Sequence, residues 1–281
     1  MIMNICLFSS EEITKPLCLK DERAEHILKI LHKKKGDSFI AGIIGGASGT
    51  AKITDISDCI YFDFVPTGNG KLLNPLKMII GFPRPIQLKR LLRDISALGV
   101  CEIHLTGTEL GEKSYMKSAL AEKGATYKML LDGTVQAGST NVPVLFLHKT
   151  LFECLNFCYQ KEQNDDLSDL YNVKSYFCGE NQNFDVKNKS KSKKNVLKIA
   201  LDNQKPYCSL NEILNKSLNK TDCKCECIAA VGSERGWTEN ERSLLEKFGY
   251  FRCTMGERIM RTETAATVSA SVILNKMGFL E

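Results

Sequence analysis

No apolar run in the chain approaches the roughly 20 residues that a membrane-spanning helix needs, so the sequence offers no transmembrane segment. The opening residues, Met1-Ile2-Met3-Asn4-Ile5-Cys6, lack the basic region and small-residue cleavage site of a secretory signal. These absences predict a cytoplasmic protein with no membrane partner. Also missing are a repeated C-x-x-C pair and a G-x-G-x-x-G run, so neither a zinc-ribbon pattern nor a Rossmann dinucleotide fingerprint is present. The twelve cysteines are scattered along the chain, and reduced thiols are the default. Their one cluster, Cys223-Lys224-Cys225-Glu226-Cys227, reads as small apolar residues running into a buried strand. No metal is expected.

Charge is little skewed. A net +5 fits a polyanionic partner without demanding one. The 43% apolar and 25% charged content is that of an ordinary globular chain, and 281 residues suit two unequal domains.

From residue 77 onward strand and helix signals alternate. Apolar runs at Lys77–Phe82, Cys101–Thr106, Val144–Leu147, Val196–Leu201, Cys227–Val231 and Phe251–Met255 read as strands. Between the first two, Pro85 suits a first helical turn, and Ile86, Leu88, Leu91, Leu92, Ile95 and Leu98 recur at helical spacing before Gly99. Ser209/Glu212 and Thr238/Glu241 have capping-box spacing, and Gly249 stops the second of those helices. Such alternation implies an α/β domain with a largely parallel sheet. The first 73 residues differ. Asp21 caps a helix with Ala24, Ile27, Leu28 and Leu31 on one face and Gly36 as terminator, among β-like pieces at Ser38–Ile44 and Tyr61–Val65. A small β-barrel with one helix is expected, joined to the larger domain by a linker marked by Gly68-Asn69-Gly70 and Pro75. Residues 161–194 are polar and end in a lysine-rich run, so a flexible, solvated insertion is expected there.

The chemistry concentrates near the C-terminus. Val231-Gly232-Ser233-Glu234-Arg235-Gly236-Trp237 follows an apolar strand and precedes a capping box, so its backbone amides can approach a ligand at the sheet's C-terminal edge. Met255-Gly256-Glu257-Arg258-Ile259-Met260-Arg261-Thr262-Glu263-Thr264-Ala265-Ala266 packs a glycine, two arginines and a glutamate just before a small-residue helix. Alone, this is a solvated turn capped by Thr262 or Thr264. Paired with the Gly232 loop, it resembles the C-terminal signature of the RsmE family of SPOUT RNA methyltransferases, a glycine loop followed by LGxRxLRxETA. The match rests on Gly256, Arg258, Arg261, Thr262, Glu263, Thr264 and Ala265. Looser agreement comes from His26 to Leu31 with Gly36-Asp37, from Ala97-Leu98-Gly99-Val100, and from Gln136 through Val142-Pro143. The chain departs from the family pattern at His32, Asp94, Ala97, Ser139 and Arg235.

The resemblance implies a PUA-like β-barrel over 1–73 that binds RNA. It implies a SPOUT domain over 74–281 with a parallel sheet and a C-terminal trefoil knot, assembled as a homodimer. It implies S-adenosylmethionine as cofactor and N3 of a uridine in small-subunit (16S) ribosomal RNA as methyl acceptor. Leu201, Gly232, Glu234, Met255, Gly256, Ile259, Met260 and Thr264 would surround the cofactor. Glu263 is the candidate base for the N3 proton, with Arg258 or Arg261 offsetting charge on the uracil oxygens. Lys29, Lys33, Lys34 and Lys35 would face RNA phosphates. Two rival readings stay open: a catalytically degenerate relative that binds ribosomal RNA as an assembly factor, and a SPOUT methyltransferase with another RNA target.

Overall fold

The computed structural model describes residues 4–163, 196–204, 206–218 and 225–280. The chain divides into two compact units, Met1–Leu73 with Leu130–Val142, and Asn74–Met129 with Pro143–Glu281.

The first unit carries β1 (Cys6–Phe8), β2 (Leu17–Cys18), helix α1 (Glu22–Glu25), β3 (Ser38–Ile43), β4 (Ala47–Ile56) and β5 (Cys59–Asn69). They form a five-stranded sheet in the order β1-β3-β4-β5-β2. β1 is parallel to β3 and the other pairings are antiparallel. Period-2 burial marks the middle of β4, where Gly49, Ala51 and Ile53 point inward and Thr50, Lys52 and Thr54 outward. Ile53 joins Phe8, Ile27, Phe39 and Ile60 in the core. Asp21 caps α1, its carboxylate accepting from the Arg23 N–H at 2.8 Å. The helix does not run to Gly36. It continues as a π-turn over His26–Ile30 and stops when His32 takes a φ of +51°, a left-handed conformation that breaks the helical ladder.

The domain range expected from sequence, 74–281, takes in residues 130–142, which the structure assigns to the smaller unit. The reason is local. Val135 packs with Ile5 and Leu7, and the Thr140 hydroxyl donates to the Gly46 carbonyl at 2.8 Å. The expected linker is also shorter, because Gly68 and Asn69 close β5 and Pro75 lies inside the next strand.

The second unit contains β6 (Asn74–Gly81), α2 (Pro85–Ala97), β7 (Val100–Thr106), the first half of α3 (Lys123–Gln136), β8 (Val144–His148), α4 (Leu151–Gln163), β9 (Val196–Leu201), β10 (Cys208–Ser209), α5 (Leu210–Ser217), β11 (Glu226–Val231), α6 (Glu239–Lys247), β12 (Phe251–Thr254) and α7 (Thr262–Lys276). Its seven strands order as β10-β12-β9-β11-β6-β7-β8, and every pairing is parallel. Pro75 is tolerated in central β6 because the β6–β7 register shifts between Asn74 and Lys77, where its missing N–H is not called upon. In α2 the residues Leu88, Leu91, Leu92 and Ile95 are fully buried, while Ile86 in the first turn faces solvent. Both capping boxes form as their spacing predicts, and Gly249 takes a φ of +84°.

Of the expected insertion over 161–194, residues 164–194 lie outside the described residues. Lys161 is not part of any loose segment: it ends α4 in a salt bridge to Glu102, 2.8 Å away.

Candidate active site

In the chain β9 precedes β11 and β12, yet in the sheet β9 lies between them. Successive connections therefore leave β9 on opposite sides, and their loops gather at the C-terminal ends of three adjacent parallel strands. Open α/β sheets form ligand crevices at such reversals of strand order.

Specific bonds join these loops. The Trp237 indole N–H donates to the Leu201 carbonyl at 3.1 Å, tying the loop after β11 to the end of β9. The Thr262 hydroxyl donates to the Gly232 carbonyl at 3.2 Å, tying the start of α7 to the same loop. Thr262 thus does not cap α7; Arg261 holds the N-cap position without a side-chain bond. Gly232 is hemmed in, since a Cβ there would stand 3.1 Å from the Gly236 backbone. Gly81, ending β6, is tighter still, with its notional Cβ 2.3 Å from the Ser233 nitrogen.

Directly after Leu201, the buried Asp202 receives the Arg242 guanidinium through Nε at 2.6 Å and Nη2 at 3.4 Å. This hydrogen bond to Asp202 holds the Arg242 pKa above its ordinary value. The clamp fixes α6 to the end of β9. On the other flank, Thr108 donates to the Ser233 hydroxyl at 2.9 Å, and Thr238 donates to Glu109 at 2.6 Å.

The structure brings Leu201, Gly232, Thr262 and Glu263 to this convergence. Leu201 and Glu263 are buried, with Glu263 in the first turn of α7. Met255 and Met260 are half-buried, and Gly256, exposed on the loop after β12 with a φ of +110°, exchanges hydrogen bonds with the Thr254 hydroxyl through its N–H at 3.2 Å and its carbonyl at 3.0 Å. Ile259 on that loop is 84% exposed, an apolar side chain with no cover. Exposed Ile259 and the half-buried Met255 and Met260 give this loop an apolar surface of the kind that small-molecule pockets use. Arg258, Arg261 and Thr264 are exposed. Among the described residues no ion pair links either arginine to Glu263. Glu234 points elsewhere, pairing with Arg84 at 2.8 Å.

In the smaller unit, Lys29 pairs with Glu25 at 2.7 Å and Lys35 with Asp55 at 3.0 Å. Lys33 and Lys34 complete that basic run, Lys34 exposed and Lys33 half-buried. Of the departures from the family pattern, Arg235 is exposed and Asp94 pairs with Arg90 at 3.7 Å. Ser139 donates to the Lys71 carbonyl within the smaller unit.

Sequence reasoning missed the Asp202–Arg242 clamp, the Thr108–Ser233 bond and a neighbouring cleft of about 440 Å³ lined by Phe82, Thr108, Glu109, Lys149 and Phe152. None of these belongs to a short motif. Only the position of Asp202 just past a strand end could have drawn notice.

Comparison with known proteins agrees with this geometry. A family model described as RNA methyltransferase domain matches residues 71–274. The ribosomal RNA small subunit methyltransferase E of Treponema pallidum is 35% identical, over 97% of this chain and 91% of the relative. The protein named ribosomal RNA small subunit methyltransferase E 1 of Borreliella burgdorferi is 29% identical, over 96% of this chain and 97% of its own length. Among solved structures, the ribosomal RNA small subunit methyltransferase E of Neisseria gonorrhoeae bound to S-adenosyl methionine superposes with a TM-score of 0.67 at 18% identity, covering 97% of both chains. With a family model spanning most of the chain and a 35%-identical relative matched nearly end to end, the chain belongs to the RNA methyltransferases and, among them, to the ribosomal RNA small subunit methyltransferase E family.

Proposed function

We propose that the protein transfers a methyl group from S-adenosylmethionine to N3 of a uridine in small-subunit ribosomal RNA. The observation that carries this reading is the joining of three strand-end loops by the Trp237–Leu201 and Thr262–Gly232 bonds, with the Glu263 carboxyl adjoining.

Leu201, Gly232 and the backbone of Met255, Gly256, Ile259 and Met260 hold the cofactor, with Thr264 at the mouth. S-adenosylmethionine, when bound, supplies the methyl group from a sulfonium centre. Glu234, engaged by Arg84, acts as a fastener for its loop rather than as a direct contact. Uridine N3 is protonated in the neutral base, so attack requires that proton to leave. Glu263 accepts it, directly or through water, and Arg258 or Arg261 offsets the charge left on the uracil oxygens. Because N3 lies on the pairing edge, the target base is unpaired or turned out of its stack.

The same reading gives the smaller unit a PUA-like, RNA-docking role through Lys29, Lys33, Lys34 and Lys35. It gives the larger unit a trefoil knot at its C-terminus, with two chains forming a homodimer in the cytoplasm. The test is methyl transfer to small ribosomal subunits that lack the modification. Methyl incorporation mapped to uridine N3 supports the reading. A folded protein that binds S-adenosylmethionine but modifies another atom or another RNA would replace the target, and one that does not bind it would leave an RNA-binding relative.

A further inference from the structure

Away from the strand-end loops, four side chains converge on one face of the sheet. His104 on β7 and His148 on β8 lie on adjacent parallel strands, two register steps apart and so on the same face. Cys154 and Cys158 lie one turn apart on α4, which packs on those strands. The geometry points to a tetrahedral metal site of the His2Cys2 type, taking zinc, formed by His104, His148, Cys154 and Cys158.

The distances are those of atoms about to share an ion. His104 Nδ1 lies 3.1 Å from His148 Nε2; Cys158 Sγ lies 4.0 Å from the same Nδ1 and 3.8 Å from Nε2, outside the closest group of three, and joins it by a rotation of its side chain. One ligand atom each from His104, His148 and Cys154 lies within 4.8 Å of the others, and all three residues are buried. Ligand atoms around a tetrahedral zinc stand roughly 3.3–3.8 Å apart, given metal–nitrogen and metal–sulfur bonds of about 2.0–2.3 Å. The set of two imidazoles and two thiols is one that zinc favours.

An outer contact accompanies the ligands. His104 Nε2 lies 3.4 Å from Glu102 Oε2, the carboxylate-behind-histidine arrangement that orients a metal-binding ring. Glu102 is itself held through its other oxygen by Lys161 at 2.8 Å. Phe146 and Phe157 flank the rings, with centroids 4.9 and 6.0 Å from His104, and keep the site dry. The alternative is a metal-free core in which one imidazole donates to the other. It satisfies that nitrogen pair, sets the Cys158 thiol against the His104 ring and bonds Cys154 to Cys158, so the measurement below decides between the two.

Sequence reasoning expected no metal because it sought paired cysteines in one segment. Here the ligands come from two strands and a helix, and the C-x-x-x-C on α4 is spaced by a helical turn. So enclosed a site is loaded as the chain folds.

The test uses the full chain. Elemental analysis of protein purified without chelator is expected to give one zinc per chain. Unfolding with chelator and refolding with Co2+ is expected to give tetrahedral cobalt bands and a thiolate-to-cobalt charge-transfer band saturating at one equivalent. The band should fall by about half in Cys154→Ser and persist in Cys18→Ser, a surface control. Refolding without metal should lower the melting temperature. Wild-type protein that refolds to its native circular dichroism with neither zinc nor the cobalt bands overturns the proposal. So does a charge-transfer band unchanged in a folded Cys154→Ser/Cys158→Ser variant. The wild-type measurement decides even if the variants do not fold.

Discussion

Thr262 donates its hydroxyl proton to the carbonyl of Gly232 across 3.2 Å, linking positions thirty residues apart in the chain. Both partners are buried, so the bond fixes the start of α7 relative to the glycine loop. Thr262→Val keeps the shape of the side chain and removes the donor. It should cost about 1 kcal/mol and weaken S-adenosylmethionine binding roughly five- to tenfold, as read by isothermal titration. An unchanged affinity would show that the two loops hold their places without this bond.

Gly81 tests the same region from the opposite side. A Cβ there meets the Ser233 nitrogen at 2.3 Å, backbone that cannot rotate away. Gly81→Ala should destabilise the fold by about 1–3 kcal/mol and abolish measurable cofactor binding. Gly68→Ala, where a Cβ meets nothing within 4 Å, serves as the control. Urea denaturation and titration of the two variants side by side would distinguish local crowding from a general intolerance of added bulk.

Glu263→Gln separates binding from proton transfer. The amide preserves size and removes the carboxylate proposed as the base, so turnover should fall roughly 10²–10⁴-fold while cofactor affinity stays within about twofold. Single-turnover methyl transfer is the measurement, and near-normal turnover would move the base elsewhere.

In the smaller unit Arg23 bonds both Asp21, at 2.7 Å, and Glu12, at 3.2 Å, and its guanidinium lies 4.7 Å from the Phe8 ring centre. These hydrogen bonds hold both carboxyls below their ordinary pKa. A carboxyl depressed in the folded state stabilises the fold above its unfolded pKa. That contribution is lost as pH drops from about 4.5 toward the folded value. Arg23→Ala should cost about 1–2 kcal/mol at neutral pH and flatten the stability loss as pH falls below about 4.5. Urea midpoints across that range would show it; parallel curves for the two proteins would refute the assignment.

What the sequence revealed depended on how local the information was. The strands at Val196–Leu201 and Cys227–Val231 were legible because buried parallel strands read as unbroken apolar runs. The capping boxes were legible because both partners lie within three residues. The end of α1 was not, since nothing near His32 signals a left-handed turn and Gly36 competes for the role. Ile86 fits the helical spacing yet faces solvent, because a helix's first turn can satisfy the spacing and still project past the sheet. Within the site, Gly232, Glu263 and their neighbours were recognisable as a motif. The Asp202–Arg242 clamp spans forty residues and leaves no local trace.

Strand β6 pairs with β7, about twenty-five residues on, and with β11, about one hundred and fifty residues on. During synthesis the β6-β7-β8 half of the sheet can assemble early, leaving the other edge of β6 open until β11, β9 and β12 have left the ribosome. An apolar, parallel edge of this kind is a site for wrong pairing. The C-terminal segment therefore closes the nascent sheet as well as joining the Gly232 loop to the start of α7. A truncation or premature stop near residue 226 should yield aggregated chains rather than a quietly inactive enzyme.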